Sequence, residues 1–120
     1  MKAGATGLFF GCLVKPGAND YEVVPAVAAT DLIIGVCIQP DAAGAPAVGD
    51  RVDVMWDGIA DVKIGGTVTR GNEITANGTG QGVAAAPGAG TNNRIVGVAL
   101  QSGVANDVIE VILSVGLKQG

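Results

Sequence analysis

The thiols of Cys12 and Cys37 are the candidate nucleophiles of this sequence, and the chain contains no histidine to activate either of them. That absence also removes the side chain most often used for acid–base work near neutral pH. Cys37 falls inside an apolar run, so two reduced, partly buried thiols are the simpler reading. One disulfide between them is open, although a scaffold that depends on disulfides carries cysteine more densely. Two cysteines without histidine do not make a metal site. Asp53 and Asp61 could approach each other across a hairpin around Asp57-Gly58, as paired carboxylates do in hydrolysis. Both sit in alternating strands whose solvent face carries such residues anyway, so solvated surface charge is favoured. Gly78, Gly80 and Gly82 imitate a phosphate cradle, but no Gly-Lys-Ser/Thr element and no strand-to-helix junction follows. They read as turn glycines. Asn77-Gly78-Thr79 is formally a glycosylation sequon, with force only in a secreted protein. No catalytic, cofactor-binding or metal-ligating residue is therefore expected, and the chain does not read as an enzyme.

Large rings remain as candidates for contact rather than chemistry. Trp56, the only tryptophan, stands beside a tight-turn signal and could fill the core or anchor an interface; the core is favoured. Phe9 and Phe10 lie in a glycine-rich leader, where docking onto a neighbouring subunit and burial within the same chain are both open. Phe9, Phe10 and Trp56 are thus the candidate interface residues.

The elements that must position these residues are strands. A chain of 120 residues has room for one core. Aromatics make up only 3%, so that core must be built from Val, Ile and Leu. Twenty glycines each lose more backbone freedom on folding than another residue would, which favours stability gained through association. The net charge is −4, and the seven basic residues are scattered without a run, which argues against direct nucleic-acid binding. The apolar island Leu8-Phe9-Phe10 is too short and interrupted for a convincing signal peptide. Nothing approaches the roughly 18 consecutive apolar residues of a membrane span.

Residues 1–20 read as an N-terminal arm or first strand, and residues 21–120 as a single β-barrel domain. Tyr21-Glu22-Val23-Val24 and the run 32–38 are rich in β-formers, with Pro25 marking a bend or edge and Ala26 to Ala29 at most a helical turn. Residues 40–49 carry the punctuation of a surface loop. Arg51 to Trp56 alternates, placing Val52, Val54 and Trp56 on one face, and Asp57-Gly58 predicts a tight hairpin to a returning strand 59–64. Turn signals at Arg70-Gly71-Asn72 and Asn77-Gly78 bracket a short strand 73–76, with 80–83 pairing back. Strands over 94–101 and 107–115 end the chain. No window combines helical spacing with freedom from glycine. The fold class is all-β, a small compact β-barrel or β-sandwich with a glycine-rich N-terminal arm.

One pattern recurs. Ile33-Ile34-Gly35-Val36-Cys37-Ile38-Gln39 matches Ile95-Val96-Gly97-Val98-Ala99-Leu100-Gln101 position by position, and each is followed by a turn and a second strand beginning Asp50-Arg51-Val52 or Asp107-Val108-Ile109. Gly35 and Gly97 then mark a bulge or the close approach of another backbone.

The stretches 33–38, 49–64, 95–100 and 107–113 also carry a resemblance to the small head proteins of tailed bacteriophages. These are the capsid decoration, or cement, proteins, often described only as a domain of unknown function. The resemblance covers roughly residues 30–115 and rests on glycine placement and β pattern. It implies a compact β-barrel, often a homotrimer, on the outer capsid surface of the expanded head in the virion, made in the cytoplasm of the bacterial host. Its partner would be the major capsid protein, with no membrane or nucleic-acid contact and no cofactor. It further implies that an N-terminal segment, about 2–20 here, contributes to the shell contact; the Phe-Phe-Gly-Cys stretch departs from plainer members. Alternatives are another virion subunit, such as a tail-tube, tail-spike accessory or head-completion protein, or a small ligand-binding β-barrel with a deep polar pocket.

Overall fold

The computed structural model describes residues 1–38 and 47–119. Of the surface loop expected over 40–49, residues 40–46 lie outside the described residues, and Ala47, Val48 and Gly49 are exposed. The described residues contain no helix, as the glycine and β-branched content predicts. They form ten strands: β1 Lys2–Ala3, β2 Leu13–Pro16, β3 Glu22–Pro25, β4 Gly35–Cys37, β5 Val54–Met55, β6 Gly58–Lys63, β7 Glu73–Ala76, β8 Gly82–Ala84, β9 Asn92–Ala99 and β10 Val108–Gln119. The strands divide into two five-stranded sheets, ordered β1-β3-β2-β4-β5 and β6-β10-β9-β7-β8. Each sheet curls back on itself through isolated bridges, Lys2 to Arg51 in the first and Ile64 to Gly82 in the second.

The hairpin expected at Asp57-Gly58 does not form. β5 pairs with β4 in the first sheet, whereas β6 pairs with β10 in the second, from Val108 opposite Lys63 to Leu113 opposite Gly58. Gly58, at φ +89°, is the corner where the chain passes between sheets. The turn signal was real, but β10 offers β6 a six-residue ladder whose inward positions, Ile109, Val111 and Leu113, meet inward Ala60 and Val62. Two-residue β5 offers nothing comparable.

The repeated sequence pattern extends through the whole fold. Cys37 pairs with Val54 as Ala99 pairs with Val111, and Val36 with Met55 as Val98 with Ile112. On the other side, Leu13 and Val14 face Val36 and Gly35 as Glu73 and Ile74 face Val98 and Gly97. The β2–β3 register, Val14 to Pro25 through Pro16 to Val23, is that of β7–β8, Ile74 to Ala84 through Ala76 to Gly82. Turns match as well: Gly11 and Gly71 have φ of +85° and +95°, and Tyr21 and Gly80 have +62° and +83°. Asp50 and Asp107 each accept a 2.9 Å bond from the backbone N–H three residues earlier. Gly49 and Asn106, at φ +91° and +74°, each donate at 2.7 Å to the carbonyl of Ala3 or Ile64. The N-terminal half (through Trp56) and the C-terminal half (from Asp57) are two copies of one backbone design.

Gly35 and Gly97 show what this design demands. A Cβ on Gly35 would collide with the carbonyl oxygen of Met55, and one on Gly97 with that of Ile112, the equivalent residue. The close backbone approach expected from the sequence is present at both.

The two halves contact each other head to tail. Lys63 N–H donates to the Gly11 carbonyl at 3.1 Å, Leu13 N–H to Gly80 at 2.9 Å and Arg94 N–H to Ala29 at 2.7 Å. A Cβ on Gly80 would meet the Cys12 sulfur at 2.8 Å. Leu13, Ala26, Ile33 and Val36 of the N-terminal half join one apolar cluster with Ala60, Val62, Ile74, Val96, Val111 and Leu113 of the other. A second cluster, with Ala3, Leu8, Cys12, Val14, Val23, Cys37 and Val52, fills the N-terminal half itself. The opening segment, residues 1–20, thereby supplies two strands and five fully buried side chains: Ala3, Leu8, Cys12, Leu13 and Val14.

Candidate functional site: exposed apolar surfaces

Both candidate thiols are packed inside the N-terminal half. Cys12 and Cys37 are fully, not partly, buried, and they form no disulfide with each other. Burial pushes the Cys12 thiol up to about 12, against a lowering bond from the Phe9 backbone; it donates to the Leu13 carbonyl at 3.2 Å. A thiol so held is almost wholly protonated and a poor nucleophile at neutral pH. Asp53 and Asp61 are both exposed, but Asp53 precedes β5 of the first sheet and Asp61 lies in β6 of the second, and the hairpin that would have brought them together is missing. Asp61 stands opposite Glu110 instead. Among the described residues no cluster of three or more Cys, Asp or Glu side chains has the geometry to hold a metal ion.

The glycines at 78, 80 and 82 are turn and packing residues. Asn77 organises the turn: its Oδ1 accepts from the backbone N–H groups of Thr79 at 2.9 Å and Gln81 at 3.0 Å. Gly82 has no room for a side chain, since a Cβ would lie 2.8 Å from Ile74 and 2.9 Å from Val62.

The aromatic candidates separate. Phe9 is half-buried, packs against the N-terminal cluster, and has the Lys63 ammonium 5.6 Å from its ring centre. Phe10 is half-buried. Trp56, for which the core was favoured, is 71% exposed. The strand that was to turn it inward ends at Met55, and Trp56 lies on the corner leading to Gly58.

Two further surfaces escaped the sequence reading. One is a shallow depression of about 360 Å³ lined by Met1, Lys2, Tyr21, Gly49 and Arg51. Tyr21 was expected to begin a strand; the strand begins at Glu22, and the ring is 78% exposed. The other is an outward row across the second sheet, Ile59 opposite Ile112 opposite Val98, with Leu100 beside it. Ile59, Ile112 and Leu100 are 50%, 43% and 39% exposed. Its signal was the apolar run Val111-Ile112-Leu113, which occupies both faces of a strand where a half-solvated one would alternate. Exposed apolar rows of this kind suit contact with another macromolecule.

No family model matches this chain, and no curated protein matches it in sequence. Solved structures do match in fold. One is the crystal structure of the head fiber gp8.5 N base in bacteriophage phi29, with a TM-score of 0.72 over 94% of this chain and 89% of that one, at 16% identity. In fold, this chain is similar to a phage head fiber base. At 94% of this chain, the likeness extends over parts of both halves.

Proposed function

We propose that this chain is a structural, non-enzymatic protein of a bacteriophage head, which binds the outer surface of the expanded capsid and stabilises contacts between major capsid subunits. The observation that carries this reading is the fold likeness to a head fiber base along nearly the whole chain. The exposed apolar row and Trp56 are consistent with it, as surfaces that gain by being covered. Binding to assembled heads and not to free capsid subunits would stabilise the shell by mass action. The reading includes a homotrimer seated on the capsid. The same likeness favours a second reading, in which the protein anchors a projecting appendage to the head and adds little to shell stability.

Co-sedimentation with purified expanded heads, followed by thermal rupture of saturated and bare heads, tests both. Saturable binding with a raised rupture temperature is expected. Binding with an unchanged rupture temperature selects the anchoring role, and no binding to heads overturns both.

A further inference from the structure

The exposed apolar residues become intelligible when each half is compared with its counterpart. In the N-terminal half the cross-strand row Leu13, Val36 and Met55 is covered by the C-terminal half: Leu13 and Val36 are fully buried, and Met55 packs on the shared cluster together with Ile38. The equivalent row in the C-terminal half is Glu73, Val98 and Ile112, with Leu100 standing for Ile38, and among the described residues it stays open, Ile112 and Leu100 being exposed. Conversely, the side of the C-terminal half that receives this contact includes Val62, Gly80 and Leu113, which are buried. Their equivalents in the N-terminal half are Met1, Tyr21 and Trp56, exposed by 47%, 78% and 71%. The contact is also not reciprocal. A Cβ on Gly11 would meet the Lys63 nitrogen at 2.7 Å, whereas one on the equivalent Gly71 would meet nothing within 4 Å. Each half therefore owns both faces of the contact, but the chain uses only one of each.

We infer that copies of this chain associate head to tail by repeating the contact between their own halves, the Val98–Leu100–Ile112 row of one copy seating on the Met1–Tyr21–Trp56 side of the next. The occupant is a second copy because the interface it would continue is already built within the chain. Charge agrees in sign at these positions: Lys2 and Arg51 line the receiving depression, while on the row's sheet Asp61 and Glu110 pair on the ladder that carries Ile59 and Ile112, and Glu73 pairs with Val98. Asp61 and Glu110 face each other across strands, a like-charge pairing that costs stability until a cation approaches. Glu73 replaces Leu13 and pairs with Lys118 at 2.6 Å, so the copy-to-copy contact is wetter and weaker than the internal one. A heterologous contact closes into a ring or runs on as a fibre, according to its rotation. This inference does not rest on the head-protein reading.

Sedimentation velocity over a concentration series tests it with two variants, Ile112→Asp on the row and Tyr21→Asp on the depression, plus Val104→Asp as an exposed control off both faces. The wild type and the control are expected to self-associate reversibly. Each face variant is expected to dissociate at concentrations roughly thirty-fold higher or more, the scale of losing one interface anchor. Circular dichroism checks that both remain folded. The decisive arm mixes the two variants: each retains one good face, so a 1:1 dimer of twice the 11.8 kDa chain is expected, with nothing larger. A wild type that is monomeric throughout, face variants that associate like wild type, or a mixture that stays monomeric would each overturn the inference.

Discussion

At the residue scale, two carbonyl oxygens govern what Gly35 and Gly97 can be. Because Met55 and Ile112 occupy the space of a β-carbon, Gly97→Ala cannot be accommodated by a rotamer change; the ladder itself must move. We expect Gly35→Ala and Gly97→Ala each to cost about 3 kcal/mol, the upper end for overpacking, read as a lowered urea midpoint. Alanine at Gly71, where space is open, is expected to cost less and only through its φ of +95°. Cys12 makes a second prediction. Its thiol titrates near 9.0 when unfolded and near 12 when folded, so above pH 9 the unfolded chain releases a proton that the native state retains. Stability is therefore independent of this group below about pH 9 and falls as pH rises from there toward 12. Equilibrium unfolding from pH 8 to 11 checks the sign, with Cys12→Ala flattening the slope. A thiol reagent at pH 7.5 should label the native protein only as fast as it opens.

At the element scale, the sheets are held together by turns that only certain residues can make. Gly80 combines a φ of +83° with a side-chain position against Cys12 and Pro25, at the seam between the halves. Gly80→Val should lower the melting temperature more than Gly90→Val, whose φ of +79° is similar but whose surroundings are empty. Differential scanning calorimetry of the pair isolates the seam from the turn. This distinction also marks what the sequence could tell. Strand 73–76 was legible because β-branched residues and the turns Gly71-Asn72 and Asn77-Gly78 agree there, while the run 21–24 and the last two strands showed as β-rich stretches between turn residues. The match around Gly35 and Gly97 was visible because a glycine forced by a neighbouring carbonyl cannot drift. The rest of the duplication was hidden, since Leu13 against Glu73 or Cys12 against Asn72 share a backbone task and no side-chain chemistry. Asp57-Gly58 misled for a different reason: a local turn signal fixes that the chain bends, but a distant partner decides which strand it meets afterwards. Trp56 followed from that error, and Tyr21 was missed because a ring at positive φ has no pattern of its own.

At the scale of the whole molecule, one apolar cluster spans both halves, so the chain should unfold in a single step although it contains the same design twice. Amide exchange in β2 and β3 reports the N-terminal half, and amide exchange in β9 and β10 reports the C-terminal half. Both should give the same free energy of opening, and a clear gap between them would show that the halves melt separately. Indole emission from Trp56 should be that of a solvated ring in dilute solution and shift to the blue when the ring is covered. The corner at Asp57-Gly58 has one more effect. It tethers two complementary partners at an effective concentration far above anything free protein reaches, so their contact persists at any dilution. An untethered version of the same contact answers to crowding of its sites, and a regular lattice that holds copies a fixed distance apart would supply what the missing linker does not.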